Sequence, residues 1–212
     1  ILLHSDHVQA HAETYTGLVE VGVGLIPGWG GCKEMILRYQ DQEKAKHNAM
    51  WFSPDTTPMG AVRKAFETIG TAKVAKSAAE AKEIGYFRPT DGITMNRDRL
   101  LYDAKQSALK LSEGYTAPEK REDIRLPGAT GKAALDMAVG DFIKSGMATP
   151  YDQVVSGHLA AVLTGNGADW TEPVSEDHLL KLEVSEFLKL IRKQGTMDRI
   201  EHMLDTGKPL RN

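Results

Sequence analysis

The chain has 212 residues, 41% hydrophobic and 26% charged, enough for one sizeable domain or a core with a smaller helical appendage. A formal net charge of −3 argues against a nucleic-acid-binding surface, and the one cysteine, Cys32, excludes an internal disulfide framework and a cysteine-based zinc cluster. The single cysteine makes a reducing, cytoplasmic setting the expected one. No apolar run has the length of a membrane span and no basic-then-apolar leader is seen.

The chain opens on Ile1-Leu2-Leu3, without Met and inside an apolar element, and is expected to be a fragment. Residues 1–16 read as the end of a helix followed by a short strand around 7–11. Residues 17–33, GLVEVGVGLIPGWGGCK, then combine an apolar, extended-looking run, the lone carboxylate Glu20, a Gly-rich turn and a helix start. Glycines at 28, 30 and 31 permit close approach of a ligand or another backbone, and free amides at a helix N-terminus favour an anion. Glu20 is the candidate proton carrier of this stretch. Cys32 sits at the same helix start, where a thiolate is favoured, but with no histidine tied to it a structural role is expected.

A helix is expected over about 31–40. Residues 41–58 read as a long polar connection anchored by Trp51 and Phe52. Val62, Ala65, Phe66 and Ile69 place a helix at 59–69. Ser77 with Glu80 caps a helix at 78–84 that Gly85 ends, and a short strand is expected at 92–95. Asn96 caps a helix at 97–113. Beyond residue 128 the pattern is helical throughout: 131–145 with Thr130 as its cap, 150–164 opened by Thr149-Pro150 with Asp152, and helices near 175–193 and 196–205.

Nucleotide motifs fail on inspection. Gly22 and Gly24 would need glycine where Pro27 stands, and neither the segment ending at Lys33 nor residues 126–133 completes a phosphate-binding loop. His4, His7 and His11 are closely spaced but lack a matching ligand pattern, so no metal is assigned. His158 falls in the apolar stripe of its helix and reads as a hydrogen-bonded core histidine.

Glu20, followed by Gly24, Ile26-Pro27-Gly28 and Gly30-Gly31, resembles the second acidic motif of the crotonase (enoyl-CoA hydratase/isomerase) family. Residues 19–35 and 199–212 are also similar to stretches of bacterial fusions that carry a 3-hydroxyacyl-CoA dehydrogenase module. The resemblance implies an α/β fold turning mainly α. A C-terminal remnant of a crotonase-like spiral would occupy 1–115, a linker 116–128 and a helical region 129–212. It implies enoyl-CoA hydration in fatty acid β-oxidation, with Glu20 as one of two acids. The carbonyl oxygen would sit in an oxyanion hole. Gly28 would line the pocket, Pro27, Gly30 and Gly31 would shape it, and Trp29 would either wall the acyl site or pack on a neighbouring subunit.

The second acid and the oxyanion hole of that family would lie upstream of Ile1, so the fragment alone is expected to be inactive. An isomerase, which can work with one principal carboxylate, is the alternative reaction, and a helical assembly region the non-catalytic one. The implied partners are an acyl-CoA thioester, a missing N-terminal part of the same protein and further copies of the chain. NAD would belong only to that missing module.

Overall fold

The computed structural model describes residues 1–49 and 58–212 and is mainly helical. The expected aromatic anchor at Trp51 and Phe52 lies outside the described residues. Two units interleave along the chain: Ile1–Gly17 with Val74–Lys120, and Leu18–Lys73 with Arg121–Asn212. The segment 116–128 straddles that division, and its second half is well packed. Ile124 pairs with Val174 in an isolated bridge, and Ile124 and Leu126 are both fully buried.

In the first unit, β1 (Gln9–His11) pairs in parallel with β4 (Gly92–Thr94), and β2 (Thr16–Gly17) pairs antiparallel with β3 (Val74–Ala75). Between the strands α3 (Ala78–Ile84) starts on Ser77, whose hydroxyl accepts from the Glu80 amide, and ends on Gly85 at φ 105°. Asn96 accepts from the Asp98 amide and opens a short 3-10 turn, Arg97–Arg99, that leads into α4 (Leu100–Ser112). Buried Asp91 ties the ladder ends by accepting from the Val8 and Arg88 amides at 2.9 and 2.6 Å.

These strands form two short two-stranded ladders, and no crotonase-like spiral is seen among the described residues. A spiral remnant over 1–115 is thus not evidenced in these ladders, whereas the mainly helical character is.

The second unit is a helical assembly of α1 (Gly31–Ala49), α2 (Met59–Gly70), α5 (Gly128–Lys144), α6 (Pro150–Thr164), α7 (Glu176–Leu190) and α8 (Gln194–Thr206). Helix α1 runs through residues 41–49, which the sequence reading assigned to a connection. Their Asp, Gln, Glu, Lys and Ala residues are mostly good helix formers, so a polar composition did not mark an end. Cys32, Met35, Ile36 and Tyr39 are buried on α1, and the Tyr39 hydroxyl meets the Thr68 hydroxyl of α2 at 2.9 Å. Helix α5 starts at Gly128, so Thr130 lies inside it rather than capping it. Thr149 and Asp152 form a reciprocal capping box on α6, with Pro150 at its first position, as the spacing predicts.

Candidate functional site

Glu20 opens a 3-10 turn, Glu20–Val23, instead of ending a strand. The turn closes on Gly24, whose left-handed φ of 77° strains any residue with a Cβ. All four residues of the turn are half-buried. One Glu20 carboxylate oxygen is buried and accepts no hydrogen bond. Burial raises its carboxyl above the ordinary glutamate range, opposed by its own amide and that of Val19. A carboxyl in this state holds its proton to higher pH than a solvated one and can exchange it with a bound group.

The Gly-rich loop lies between this turn and α1, and a carboxylate from α7 closes it. Glu183, fully buried, accepts from the Gly30 amide at 2.6 Å and from the Lys33 amide at 2.6 Å. Gly30 immediately precedes α1 and Lys33 lies in its first turn, where backbone amides would otherwise lack partners. The amides that the sequence reading left open to an anion are therefore held by the chain's own acid. Burial pushes the Glu183 carboxyl up to about 7, against the pull of those two amides and of Lys33. A buried carboxylate with two charge-assisted hydrogen bonds is a strong local constraint.

The remaining site residues fall around this cap. Pro27, Gly28 and Gly30 are buried, while Trp29 is 88% exposed. A Cβ on Gly28 would lie 3.0 Å from the Phe187 ring of α7, and one on Gly31 would lie 2.8 Å from the Pro27 side chain. These glycines therefore let the loop pass closely under α7 and fold onto itself.

Cys32 is buried, and burial pushes its thiol well above the ordinary range, with Glu183 and Glu20 adding to the effect. A thiolate is disfavoured there, in line with a structural role. Lys33 bridges Glu34 and Glu176, and the second Glu176 oxygen accepts from the Arg121 amide at 2.8 Å.

Behind the turn, α8 supplies a polar clasp. The Thr196 hydroxyl donates to the Gly24 carbonyl at 2.8 Å and lies 2.7 Å from the Tyr151 hydroxyl. Because the Thr196 hydrogen is committed to Gly24, Tyr151 donates to Thr196. Arg199, 3% exposed, donates to Asp152 at 2.8 Å, Thr149 at 3.2 Å and Asn212 at 2.7 Å, with its fourth contact 3.5 Å from the Val21 carbonyl.

The histidines divide as their surroundings dictate. The His11 Nδ1 accepts from the Glu13 amide, so its Nε2 carries the proton and donates to the Met95 carbonyl at 3.2 Å. His7 lies 3.7 Å from Asp91. Among the described residues no group of three His, Cys, Asp or Glu side chains could hold a metal ion. His158 is partly buried and bonded to Glu186 of α7 at 2.5 Å, the hydrogen-bonded role expected of it. No described helix is long and apolar enough to cross a membrane.

Glu183, Phe187, Thr196 and Arg199 were not singled out from the sequence. One signal was present for Glu183. Leu179, Glu183, Glu186 and Leu190 share the buried face of α7, so two acids sit where apolar residues belong.

No protein-family model matches the chain. It is 41% identical over 99% of its length to a Bacillus subtilis protein named "Probable 3-hydroxyacyl-CoA dehydrogenase". It is 26% identical over 95% of its length to a provisionally named fatty acid oxidation complex trifunctional enzyme of Rickettsia felis, and 25% identical to its namesake in Rickettsia prowazekii. The chain spans about a quarter of the length of these curated relatives.

These comparisons correct the assignment drawn from the resemblance. The relatives bear dehydrogenase and trifunctional-enzyme names, so the crotonase assignment, and with it enoyl-CoA hydration, lyase chemistry and the isomerase alternative, is withdrawn. The structure supplies the physical reason that the motif misled. Its glycines answer to Phe187, Pro27 and Leu18, and its helix-start amides answer to Glu183.

Proposed function

We propose that the chain is a segment of a fatty acid oxidation protein of the 3-hydroxyacyl-CoA dehydrogenase type, and that its Glu20 region meets an acyl-CoA thioester. The observation that carries this reading is the 41% identity extending over 99% of the chain. Glu20 is the proton-carrying group, supported by its half-buried carboxyl with one unbonded oxygen. Exposed Trp29 offers the apolar contact for the acyl part, and Pro27, Gly28, Gly30 and Gly31 keep the loop in the shape that presents it.

Oxidation of a 3-hydroxyacyl thioester needs a hydride acceptor, and the residues here do not fit a dinucleotide. A pyrophosphate seeks free helix-start amides, whereas those of Gly30 and Lys33 are held by a carboxylate that would repel it. No hydride step is assigned to these side chains, and NAD, where the longer protein uses it, belongs to a module outside this chain. Self-association is the further expectation, supported by Val184 and Leu188 on one side of α7 and Ile191 just past its end, all exposed.

The test is turnover by the natural protein that carries this sequence, followed as NAD reduction with a 3-hydroxyacyl-CoA. Reduction of NAD that depends on the 3-hydroxyl group supports the reading. A protein that leaves both compounds unchanged contradicts it.

A further inference from the structure

We propose that Thr196 and Arg199 of α8 are positioning residues for Glu20, holding the turn that carries it by its backbone carbonyls; the inference rests on Glu20 being the proton-carrying group. The turn Glu20–Val23 is half-buried along its whole length, with none of its residues in the core. Its own bonds are local: Gly24 N–H to Val21 O at 3.1 Å and Leu25 N–H to Glu20 O at 3.1 Å. Such a turn in isolation is a poor support for a side chain that must stay in register with a ligand.

The long-range tether comes from α8. Thr196 holds the Gly24 carbonyl, and Tyr151 of α6 orients the Thr196 hydroxyl. Arg199, one turn further along α8, lies 3.5 Å from the Val21 carbonyl and is locked by Asp152 and Thr149 at the start of α6 and by Asn212. Asn212 in turn donates to the Gly195 carbonyl at 3.1 Å. A Cβ on Gly24 would come within 3.2 Å of both Arg199 and Thr196, so the contact has no slack. Thr196 is fully buried and Arg199 nearly so. Two buried polar residues that spend hydrogen bonds on the carbonyls of a half-buried turn are placed to hold that turn.

The titratable groups near the turn include Asp152 and Tyr151 of α6, Arg199 of α8, and Cys32 and Glu183, which share the loop region with Glu20. Loosening the tether lets water reach the Glu20 carboxyl, which should return toward an ordinary glutamate.

The experiment is an isotope-edited infrared titration of glutamate carboxyls in the natural protein, with Glu20 identified by difference against Glu20→Gln. Thr196→Val should lower the Glu20 midpoint by about half a pH unit or more, while Thr196→Ser, which keeps the hydroxyl, should leave it in place. Tyr151→Phe and Arg199→Lys read the same quantity should Thr196→Val not fold. Folded variants that lower the melting temperature but leave the midpoint unmoved would overturn the inference. A moved midpoint with acyl-CoA binding indifferent to Glu20→Gln would sustain the positioning role and sink the functional reading instead.

Discussion

Glu183 accepts hydrogen bonds from the Gly30 and Lys33 amides, both at 2.6 Å, so a side chain of α7 caps a helix begun 150 residues earlier. Removing it leaves two buried donors without partners. Glu183→Ala should therefore destabilise the protein by about 2–4 kcal/mol and Glu183→Gln, which keeps an acceptor, by about 1 kcal/mol. Denaturant titration of the natural protein and both variants reads these costs. Equal stability of all three would remove the cap from the explanation of the loop.

The same carboxyl carries a pH signature. Its ordinary value of 4.5 is raised in the fold to about 7. Between these values the folded state binds more protons than the unfolded one, so stability from this group falls as pH rises from about 4.5 to about 7. It is fully present below that window and gone above it. Comparing wild type with Glu183→Gln across the window isolates the contribution. A difference that does not change with pH would mean the carboxyl titrates normally.

Gly28 and Phe187 form a tight pair. Gly28→Ala places a methyl against the ring and should cost about 1–3 kcal/mol by overpacking. Adding Phe187→Leu should recover part of it, because the two changes share one space. Strict additivity of the two single-variant costs would show that the ring does not limit residue 28.

Cys32 should resist alkylation in the native protein and react once unfolded, since it is buried and its thiol is held protonated by burial and two neighbouring acids. Labelling followed by mass across a denaturant series measures this. Rapid native labelling would place the thiol at a surface.

Much of the helical frame was legible in the sequence because helices announce themselves locally. The Thr149–Asp152 box, the Ser77 cap and the stop at Gly85 depend on residues a few positions apart, and each stands where its spacing predicts. The turn at Glu20–Val23 was not legible, since alternating valines and glycines suit an extended run, whereas the chain turns there and Thr196 of α8 bonds the Gly24 carbonyl that follows. The glycine pattern at 28–31 misled for a related reason. Glycine near a helix start reads as a ligand cradle, and only the fold reveals that Phe187 and Glu183 fill the space. Contacts across 150 residues leave no local trace, except an acid on an apolar helix face.

The most direct single measurement is calorimetric titration of a 3-hydroxyacyl-CoA into the natural protein, its Glu20→Gln variant and its Trp29→Ala variant. Saturable binding by the wild type, weakened about tenfold by either substitution, a loss of about 1.4 kcal/mol, is the expected result. Binding equally tight in all three proteins, or no binding at all, would contradict the assignment of an acyl-CoA site to this loop.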